Sequence, residues 1–359
     1  MAAAIRYARR NIARTKTNPS VACLIVRSEN GNDYIVGRGV TAHGGRPHAE
    51  PVALAEAGEK AKGATAYVTL EPCAHHGATP PCAQTLIDAG IARVVTAWVD
   101  PDSRVDGKGH AMLRAAGVEL ETGILADEAR HDLGGYLARK QQNRPWVTLK
   151  LAISKDGYIG IKGEGQVKIT GAISRAQVDM MRSYHDAIMV GSATAIEDDP
   201  ELICRQPSLK NRSPHRIILD SKARLSPNSR LVSSINTAPL SIVVGPNADQ
   251  NTVAALQKAG ANIISGELVG GRIALPEMLE DIAATGISSL FVEGGAEVAK
   301  AFLDAGLVDE VNMFIGNKLV GENGIAAPIN RQSPPAGFSL VRTEHFEDDA
   351  LYAYRKGEH

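Results

Sequence analysis

Two short segments bring together residue types that bind transition metals and transfer protons. The first reads Pro47-His48-Ala49-Glu50, and the second runs from Glu71-Pro72-Cys73 to Pro80-Pro81-Cys82. One histidine and two cysteines make three ligands. A catalytic zinc takes three ligands from the protein and keeps its fourth position for water. Glu50 is not needed as a ligand, so its carboxylate is free to transfer protons at that water.

The same residues also fit a structural zinc site. Such a site requires a fourth protein ligand, which His75 or His76 would supply. Residues two apart on a helix do not face each other, so His48 and Glu50 act together only where a helix begins, with Pro47 in its first turn. The spacing alone leaves a catalytic and a structural site open.

The order H-x-E, then P-C, then a second cysteine is similar to that of the zinc-dependent nucleobase deaminases. Most relatives of cytidine deaminase have two residues between the cysteines, whereas eight separate Cys73 from Cys82 here. This spacing, with Asn18-Pro19-Ser20-Val21 upstream, resembles the deaminase half of the bifunctional riboflavin-biosynthesis deaminase/reductases.

That resemblance implies a cytidine-deaminase-like α/β/α sandwich in the first half of the chain. It also implies that His48, Cys73 and Cys82 bind Zn²⁺, that Glu50 is the catalytic acid–base and that Asn18 holds the base. The polar loop at residues 100–109 would border the substrate, with Arg104 or Lys108 as a phosphate ligand.

The second half contains motifs that are similar to the reductase half of the same family. They are Lys150-x-Ala152-x-Ser154-x-Asp156-Gly157, Gly191-Ser192-Ala193-Thr194, Asp198-Asp199-Pro200 and Val292-Glu293-Gly294-Gly295. No G-x-G-x-x-G follows a predicted strand, so the sequence does not support a Rossmann dinucleotide site. The resemblance instead implies a dihydrofolate-reductase-like α/β domain that uses NADPH.

By the same resemblance, four residues contact the cofactor and three contact the substrate of the reductase. The cofactor residues are Ala152, Thr194, Asp198 and Gly295, and the substrate residues are Arg182, Arg205 and Glu293. Gly295 ends a predicted strand and begins a helix, where backbone N–H groups seat a pyrophosphate. The arginines suit a substrate phosphate. The family commonly has Ser-x-Trp before an Ile-Thr pair, whereas Gln166-Val167-Lys168 precede Ile169-Thr170 here, so those contacts do not carry over.

The pattern of apolar residues predicts an α/β unit in each half. In the first half it predicts strands at residues 21–27, 34–40, 66–70 and 93–99 in a largely parallel sheet, with helices at 47–62, 81–89 and 126–141. In the second half it predicts strands at residues 146–153, 187–191, 216–220, 240–245, 262–265, 289–293, 310–315 and 350–355, with helices at 174–184, 250–259, 276–285 and 296–304. The polar, proline-ended segment 141–145 predicts a join between domains 1–143 and 146–359.

Composition excludes several classes of partner. The 359 residues carry a net charge of −1, which gives no general attraction to nucleic acid. No apolar run approaches the roughly 18 residues of a membrane helix. Four cysteines, two of them predicted ligands, do not form a disulfide framework and indicate a reducing cytoplasm.

The resemblance spans nearly the whole chain, and both halves occur in the family's order. It implies hydrolytic deamination of 2,5-diamino-6-(5-phosphoribosylamino)pyrimidin-4(3H)-one, followed by NADPH-dependent reduction of 5-amino-6-(5-phosphoribosylamino)uracil to the ribityl product. The partners are then small-molecule substrates, without nucleic acid or membrane, and a homo-oligomer is left open. Two alternatives are a deaminase of another base or of RNA whose second domain only binds, and a structural zinc scaffold.

Overall fold

The computed structural model describes residues 1–77 and 80–357, and it divides the chain into two compact units. The first unit is Met1–Arg144 and the second is Pro145–His359. The division falls inside the polar segment 141–145. Independent folding of the domains 1–143 and 146–359 stays a prediction, which expression of the two fragments tests.

Five strands form the sheet of the first unit in the order β2-β1-β3-β4-β5. They are β1 (Ala22–Glu29), β2 (Asn32–Val40), β3 (Thr65–Val68), β4 (Arg93–Thr96) and β5 (Glu119–Thr122). The expectation of a largely parallel sheet is wrong for this unit, because β1 is antiparallel to both β2 and β3. The reason is the hairpin turn at Asn30 and Gly31, which both have positive φ, as a two-residue hairpin turn requires.

Helices cover both faces of this sheet. They are α1 (Ala2–Ala8), α2 (Ala49–Ala57), α3 (Cys82–Asp88), α4 (Lys108–Ala115), α5 (Ala126–Asp132) and α6 (Gly134–Gln142). Successive residues of a strand point to opposite faces. Accordingly, Ile25 packs in one apolar cluster with Ala53 of α2, whereas Leu24 packs in another with Ala8 of α1. The result is the predicted α/β/α sandwich.

Helix α2 lies directly against β2. A methyl group at Gly39 would lie 1.8 Å from the backbone oxygen of Ala49 and 2.7 Å from the nitrogen of Ala53. Only a residue without a Cβ allows this approach. Gly39 therefore fixes where the first turn of α2, which carries Glu50, meets the sheet.

Nine strands form the main sheet of the second unit. Its strands in chain order are β6 (Trp146–Ile153), β8 (Ala187–Gly191), β9 (His215–Leu219), β10 (Leu240–Val244), β11 (Asn262–Ser265), β14 (Ser289–Val292), β15 (Glu310–Ile315), β17 (Phe338–Phe346) and β18 (Asp349–Lys356). The order in the sheet is β11-β10-β9-β8-β14-β6-β15-β18-β17. The pairs from β11 to β15 are parallel, and β18 is antiparallel to both β15 and β17. Two small sheets pair β7 (Tyr158–Ile161) with β16 (Gly324–Ala326) and β12 (Leu268–Val269) with β13 (Arg272–Ile273).

Six helices accompany the strands of the second unit. They are α7 (Ala172–Arg182), α8 (Ser192–Glu197), α9 (Arg230–Ser233), α10 (Gln250–Lys258), α11 (Leu275–Ala284) and α12 (Ala296–Asp304). Leu279 of α11 and Phe302 of α12 pack in one cluster with Met189 of β8, whereas Leu256 of α10 packs with Ile188 in another. Adjacent residues of β8 thus face different helix layers. Across residues 1–77 and 80–357, no helix combines the length and apolar character needed to span a membrane.

Candidate active sites

The first site forms where two helices begin. His48 is the N-cap residue of α2, and Cys82 is the first residue of α3. Cys73 lies in the loop that follows β3. The sequence placed Pro47 in the first helical turn, which is wrong because α2 begins at Ala49. His48 and Glu50 can still act together, as expected, because His48 is the N-cap residue and Glu50 lies in the first turn. The rule that residues two apart do not face each other applies to the interior of a helix.

The three predicted ligand atoms lie within 4.8 Å of one another. His48 Nδ1 is 3.4 Å from Cys82 Sγ and 3.8 Å from Cys73 Sγ. In a tetrahedral site with Zn–N and Zn–S bonds of about 2.1 and 2.3 Å, nitrogen and sulfur ligands lie about 3.6 Å apart. The donor set and its spacing therefore fit zinc.

Their contacts shift the pKa values of the two thiols in opposite directions. Hydrogen bonds from the Cys82 thiol, His48 and the Cys82 N–H lower the pKa of Cys73 to about 4, against the opposing effect of burial. That N–H lies at the start of α3, 3.3 Å from Cys73 Sγ. Hydrogen bonding to Cys73 and then burial raise the pKa of Cys82. A bound cation would ionise both thiols, because a coordinating thiol is deprotonated.

Glu50 is the buried carboxyl group beside this triad. Only 3% of its surface is exposed, and its side chain hydrogen-bonds to Cys82. Burial, and after it the charge of Cys73, raises its pKa. A raised pKa brings a carboxyl group closer to the range in which a general acid–base works.

The structure argues against a closed metal site. Among the described residues, the cluster of potential metal ligands contains only His48, Cys73 and Cys82, so neither His75 nor His76 joins it. The Nδ1 atom of His75 is buried and has no hydrogen-bond partner in the described part of the chain. The two segments thus bring together three candidate ligands, the number that a catalytic zinc site takes from protein.

Asn18 holds the loop that leads to His48. Its Nδ2 donates to the backbone oxygen of Gly45, at 2.9 Å, and its own backbone oxygen accepts from the Thr15 hydroxyl. Gly45 has a φ of 91°, in the left-handed region. Contact of Asn18 with a base stays a prediction.

Glu71 anchors the segment that carries Cys73, a role that the sequence did not indicate. Its buried carboxylate accepts from the backbone N–H groups of Asp100, Gly107 and His110 at 3.0–3.3 Å. In the sequence, Glu71 is recognisable only as the residue that precedes Pro72-Cys73. Its partners lie more than 25 residues later, which a local pattern does not reveal.

The two cations that the sequence offered as phosphate ligands in this unit are engaged elsewhere. Arg104 donates to both carboxylate oxygens of Asp102, at 2.9 and 2.7 Å, and Lys140 donates to the same carboxylate at 2.8 Å. These bonds hold the pKa of Asp102 well below its usual range, against the opposing effect of burial. Lys108 donates to the backbone oxygen of Ser103. Arg104 and Lys108 therefore stabilise the loop that carries them.

The second site is a cavity of about 330 Å³ in the second unit. It lies at the carboxyl ends of the central parallel strands, where open α/β sheets bind ligands. Its wall contains every residue that the sequence assigned to the cofactor or substrate of this half, namely Ala152, Arg182, Thr194, Asp198, Arg205, Glu293 and Gly295. The structure thus brings the seven residues together, and their individual roles stay predictions.

Arg182 and Glu293 form a bidentate ion pair in the cavity wall. The Nε–Oε1 distance is 2.6 Å and the Nη2–Oε2 distance is 3.0 Å, and Arg182 also donates to the backbone oxygen of Ile203. Burial opposes ionisation of Glu293, but the charges of Arg182 and Lys150 outweigh it and lower the pKa of that carboxyl. Arg182 is therefore buried and occupied.

Lys150 lines the cavity and belongs to one of the reductase-like motifs, but no role for it was predicted. Burial lowers its pKa, and the charges of Arg182 and Arg205 act in the same direction while Glu293 opposes them. The sequence already predicted that Lys150 lies on the same strand as Ala152. Its proximity to Glu293 was not, because that contact depends on the pairing of β6 with β14.

Arg205 is a far more accessible charge of the cavity than Arg182, whose side chain is 6% exposed. The Arg205 side chain is 56% exposed and its Nε lies 3.9 Å from Asp179 Oδ1, so the guanidinium retains surface for a ligand. Burial, and then the charge of Glu197, raises the pKa of Asp198.

Gly295 is the N-cap residue of α12 and has no side chain to satisfy the first N–H groups of that helix. A Cβ at Gly295 would lie 3.4 Å from Thr194 Oγ1, so the two predicted cofactor residues are adjacent. A helix start with unsatisfied N–H groups suits a phosphate. Gly165, Gln166 and Val167 also line the cavity, which shows that the segment departing from the family pattern belongs to the site.

Each unit of the chain matches a known family. Residues 1–98 match the family model of the cytidine and deoxycytidylate deaminase zinc-binding region, and residues 145–352 match that of the RibD C-terminal domain. The riboflavin biosynthesis protein RibD of Haemophilus influenzae is 40% identical over 326 residues, covering 86% of this chain and 82% of that protein.

Solved structures give the same result. RibD of Acinetobacter baumannii has a TM-score of 0.84 at 33% identity, covering 99% of this chain and 98% of that one. A diaminohydroxyphosphoribosylaminopyrimidine deaminase/5-amino-6-(5-phosphoribosylamino)uracil reductase of Thermotoga maritima has a TM-score of 0.83 at 30% identity, covering 99% and 97%. The predicted fold class, a cytidine-deaminase-like unit followed by a dihydrofolate-reductase-like unit, is confirmed. The chain belongs to the RibD family of riboflavin-biosynthesis enzymes, in which a zinc-dependent deaminase is joined to an NADPH-dependent reductase.

Proposed function

We propose that the first unit deaminates the diaminopyrimidine ribose phosphate and that the second reduces the resulting aminouracil ribose phosphate, the two substrates in the name of the Thermotoga relative. The observation that carries the proposal is the open triad of His48, Cys73 and Cys82 beside the buried Glu50. A closed scaffold would not need a buried carboxyl group next to three ligands. The chain's net charge of −1 supports a small-molecule substrate rather than RNA.

In the deaminase unit, His48, Cys73 and Cys82 would hold zinc, which supplies Lewis acidity to a water molecule. Glu50 takes a proton from that water as its oxygen attacks the carbon that carries the amino group. The same carboxyl group then gives the proton to the departing nitrogen. The other proton of the water ends on the adjacent ring nitrogen as the carbonyl forms, the C–N bond breaks and ammonia leaves, so one water is consumed for each ammonia released.

In the reductase unit, NADPH supplies the hydride. Thr194 and the N–H groups that follow Gly295 would hold its phosphates, and Ala152 and Asp198 lie in the same wall. Arg205 would meet the phosphate of the uracil substrate, while Arg182 keeps Glu293 ionised and in place. Hydride reaches C1′ of the ribose, the C1′–O4′ bond breaks and O4′ takes up a proton from solvent, which opens the sugar to a ribityl chain.

Product analysis tests the proposal. The full chain with zinc and the diaminopyrimidine phosphate should release ammonia and accumulate the uracil phosphate, and addition of NADPH should convert that product to the ribityl compound. Release of ammonia without any later oxidation of NADPH would leave a deaminase with a non-catalytic second unit. No ammonia from this substrate would overturn the assignment.

We expect a reducing compartment, namely the cytoplasm, because all four cysteines are free thiols. We also expect a homo-oligomer. Strand β17 is the outer strand of its sheet, and its Leu340 and Val341 are 52% and 48% exposed. Such an edge is a template for pairing with a second copy. Light scattering of the wild type and of Val341→Lys tests this, and a monomeric wild type would contradict it.

A further inference from the structure

The proposed function requires a phosphate-binding residue in the first unit, and none has yet been assigned. Its substrate carries a ribose phosphate, and this anionic group must be held while the pyrimidine lies at the zinc triad. Arg205 belongs to the second unit, and Arg104 and Lys108 are bound within their own loop. The deaminase site therefore needs another cation.

Arg46 is the only lysine or arginine in the segments that supply the zinc ligands. Residues 43–50 and 71–82 contain no other. The side chain of Arg46 is exposed, so a ligand can reach it from solvent.

The guanidinium of Arg46 spans from one ligand segment to the other. Its backbone lies two residues before His48, and its Nη2 is 3.1 Å from the position that a Cβ would occupy at Gly77, four residues after Cys73.

The loop before Arg46 is fixed rather than free. The Asn18 amide donates to the oxygen of Gly45 at 2.9 Å, and the N–H of Gly44 donates to the oxygen of Arg14 at 2.8 Å. The residue expected to hold the base thus also positions the backbone of Arg46. A cation held in advance loses less entropy when it binds.

We propose that Arg46 binds the phosphate of the deaminase substrate and selects phosphorylated over unphosphorylated pyrimidine nucleosides. This inference rests on the proposed function. A guanidinium presents a planar pair of donors that matches two phosphate oxygens, and the resulting hydrogen bonds are charge-assisted. The pyrimidine would then lie at the zinc with its ribose phosphate directed toward Gly77.

The test compares Arg46→Ala, Arg46→Lys and Arg104→Ala in the full chain loaded with zinc. Ammonia release is measured with the diaminopyrimidine ribose phosphate and with its dephosphorylated nucleoside. We expect Arg46→Ala to raise the KM for the phosphate about ten- to a hundred-fold, with little change in kcat, in zinc content or in the KM for the nucleoside. Arg46→Lys should recover part of the loss, because an ammonium binds phosphate as a point charge.

Arg104→Ala is the matched control, since it removes an arginine whose guanidinium is already bound by Asp102. It should leave both KM values near those of the wild type. Inorganic phosphate should compete with the phosphorylated substrate in the wild type and lose most of this effect in Arg46→Ala.

Three results would overturn the inference while leaving the proposed function intact. They are a wild-type KM in Arg46→Ala, loss of zinc from that variant, or the KM increase appearing in Arg104→Ala instead. A wild type that releases no ammonia from the pyrimidine phosphate would overturn the proposed function, and this inference with it.

Discussion

The zinc triad and the reductase cavity are assembled over very different distances along the chain. His48 lies 25 residues from Cys73 and 34 from Cys82, and all three are delivered by two helix starts and one loop. The central ion pair of the cavity joins Arg182 to Glu293, which are 111 residues apart. Local motifs therefore specify the first site, whereas the order of strands in the sheet specifies the second.

The two sites also use buried charge in opposite ways. Burial raises the pKa of Glu50, which keeps a proton exchangeable beside the triad. In the cavity, positive neighbours outweigh burial and keep Glu293 ionised. One carboxyl group is placed to exchange a proton and the other to act as a fixed negative charge.

The largest effect should come from Glu50→Gln. We expect deamination to fall by about 10²–10⁴ or more, because the amide can neither accept nor return the proton. Zinc content should stay at one per chain, since Glu50 is not among the three ligands. Metal analysis and ammonia release measure the two quantities, and reduction of supplied uracil phosphate serves as the internal control. A variant that lost its zinc would show that Glu50 is a ligand.

The next largest effect should be a loss of stability on replacing Arg182, and it should be confined to the second unit. Arg182→Ala leaves Glu293 as a buried charge without its bidentate partner, which typically lowers the free energy of unfolding by about 3–5 kcal/mol. Denaturant unfolding followed by fluorescence measures the loss. The double variant Arg182→Ala/Glu293→Gln should recover part of it, because the uncompensated charge is gone. Equal losses in the single and double variants would contradict this account.

Arg205→Ala should have a smaller effect, on binding alone. Its guanidinium is half exposed, so its removal leaves no buried charge. Loss of a charge-assisted phosphate contact typically costs about 1.5–3 kcal/mol, which raises the reductase KM for the uracil phosphate roughly ten- to a hundred-fold. Deamination and NADPH affinity should stay near wild type. A variant that loses NADPH affinity instead would assign Arg205 to the cofactor.

Sequence patterns located both sites but not the contacts that shape them. Local rules sufficed for His48, Cys82 and the Glu293-Gly294-Gly295 turn because each lies at a helix start, and Cys73 was found from its short spacing to Cys82. The roles of Glu71 and Lys150 were missed because their partners come from distant strands and loops. The turn at Asn30-Gly31-Asn32 indicated that β1 and β2 are joined, but the antiparallel pairing of β1 with β3 and the edge strand β17 were missed, since periodicity identifies strands but not their neighbours.

The smallest effect is a pH dependence that distinguishes the ion pair from a merely packed carboxyl group. The pKa of Glu293 in the folded chain is lower than its ordinary value, so the folded state binds this proton less tightly than the unfolded state. The stability that results is complete above the usual glutamate pKa of about 4.3, and it is lost as the pH falls through the lower folded value. The difference in unfolding free energy between the wild type and Glu293→Gln, measured from neutral to acidic pH, should therefore shrink with acidification. Arg205→Ala, which leaves the bidentate pair intact and removes only the last of the charges that lower this pKa, should show a much smaller change over the same range. A Glu293→Gln difference that stays constant would mean that Arg182 and Lys150 do not stabilise the carboxylate, and the contrast with Glu50 would then disappear.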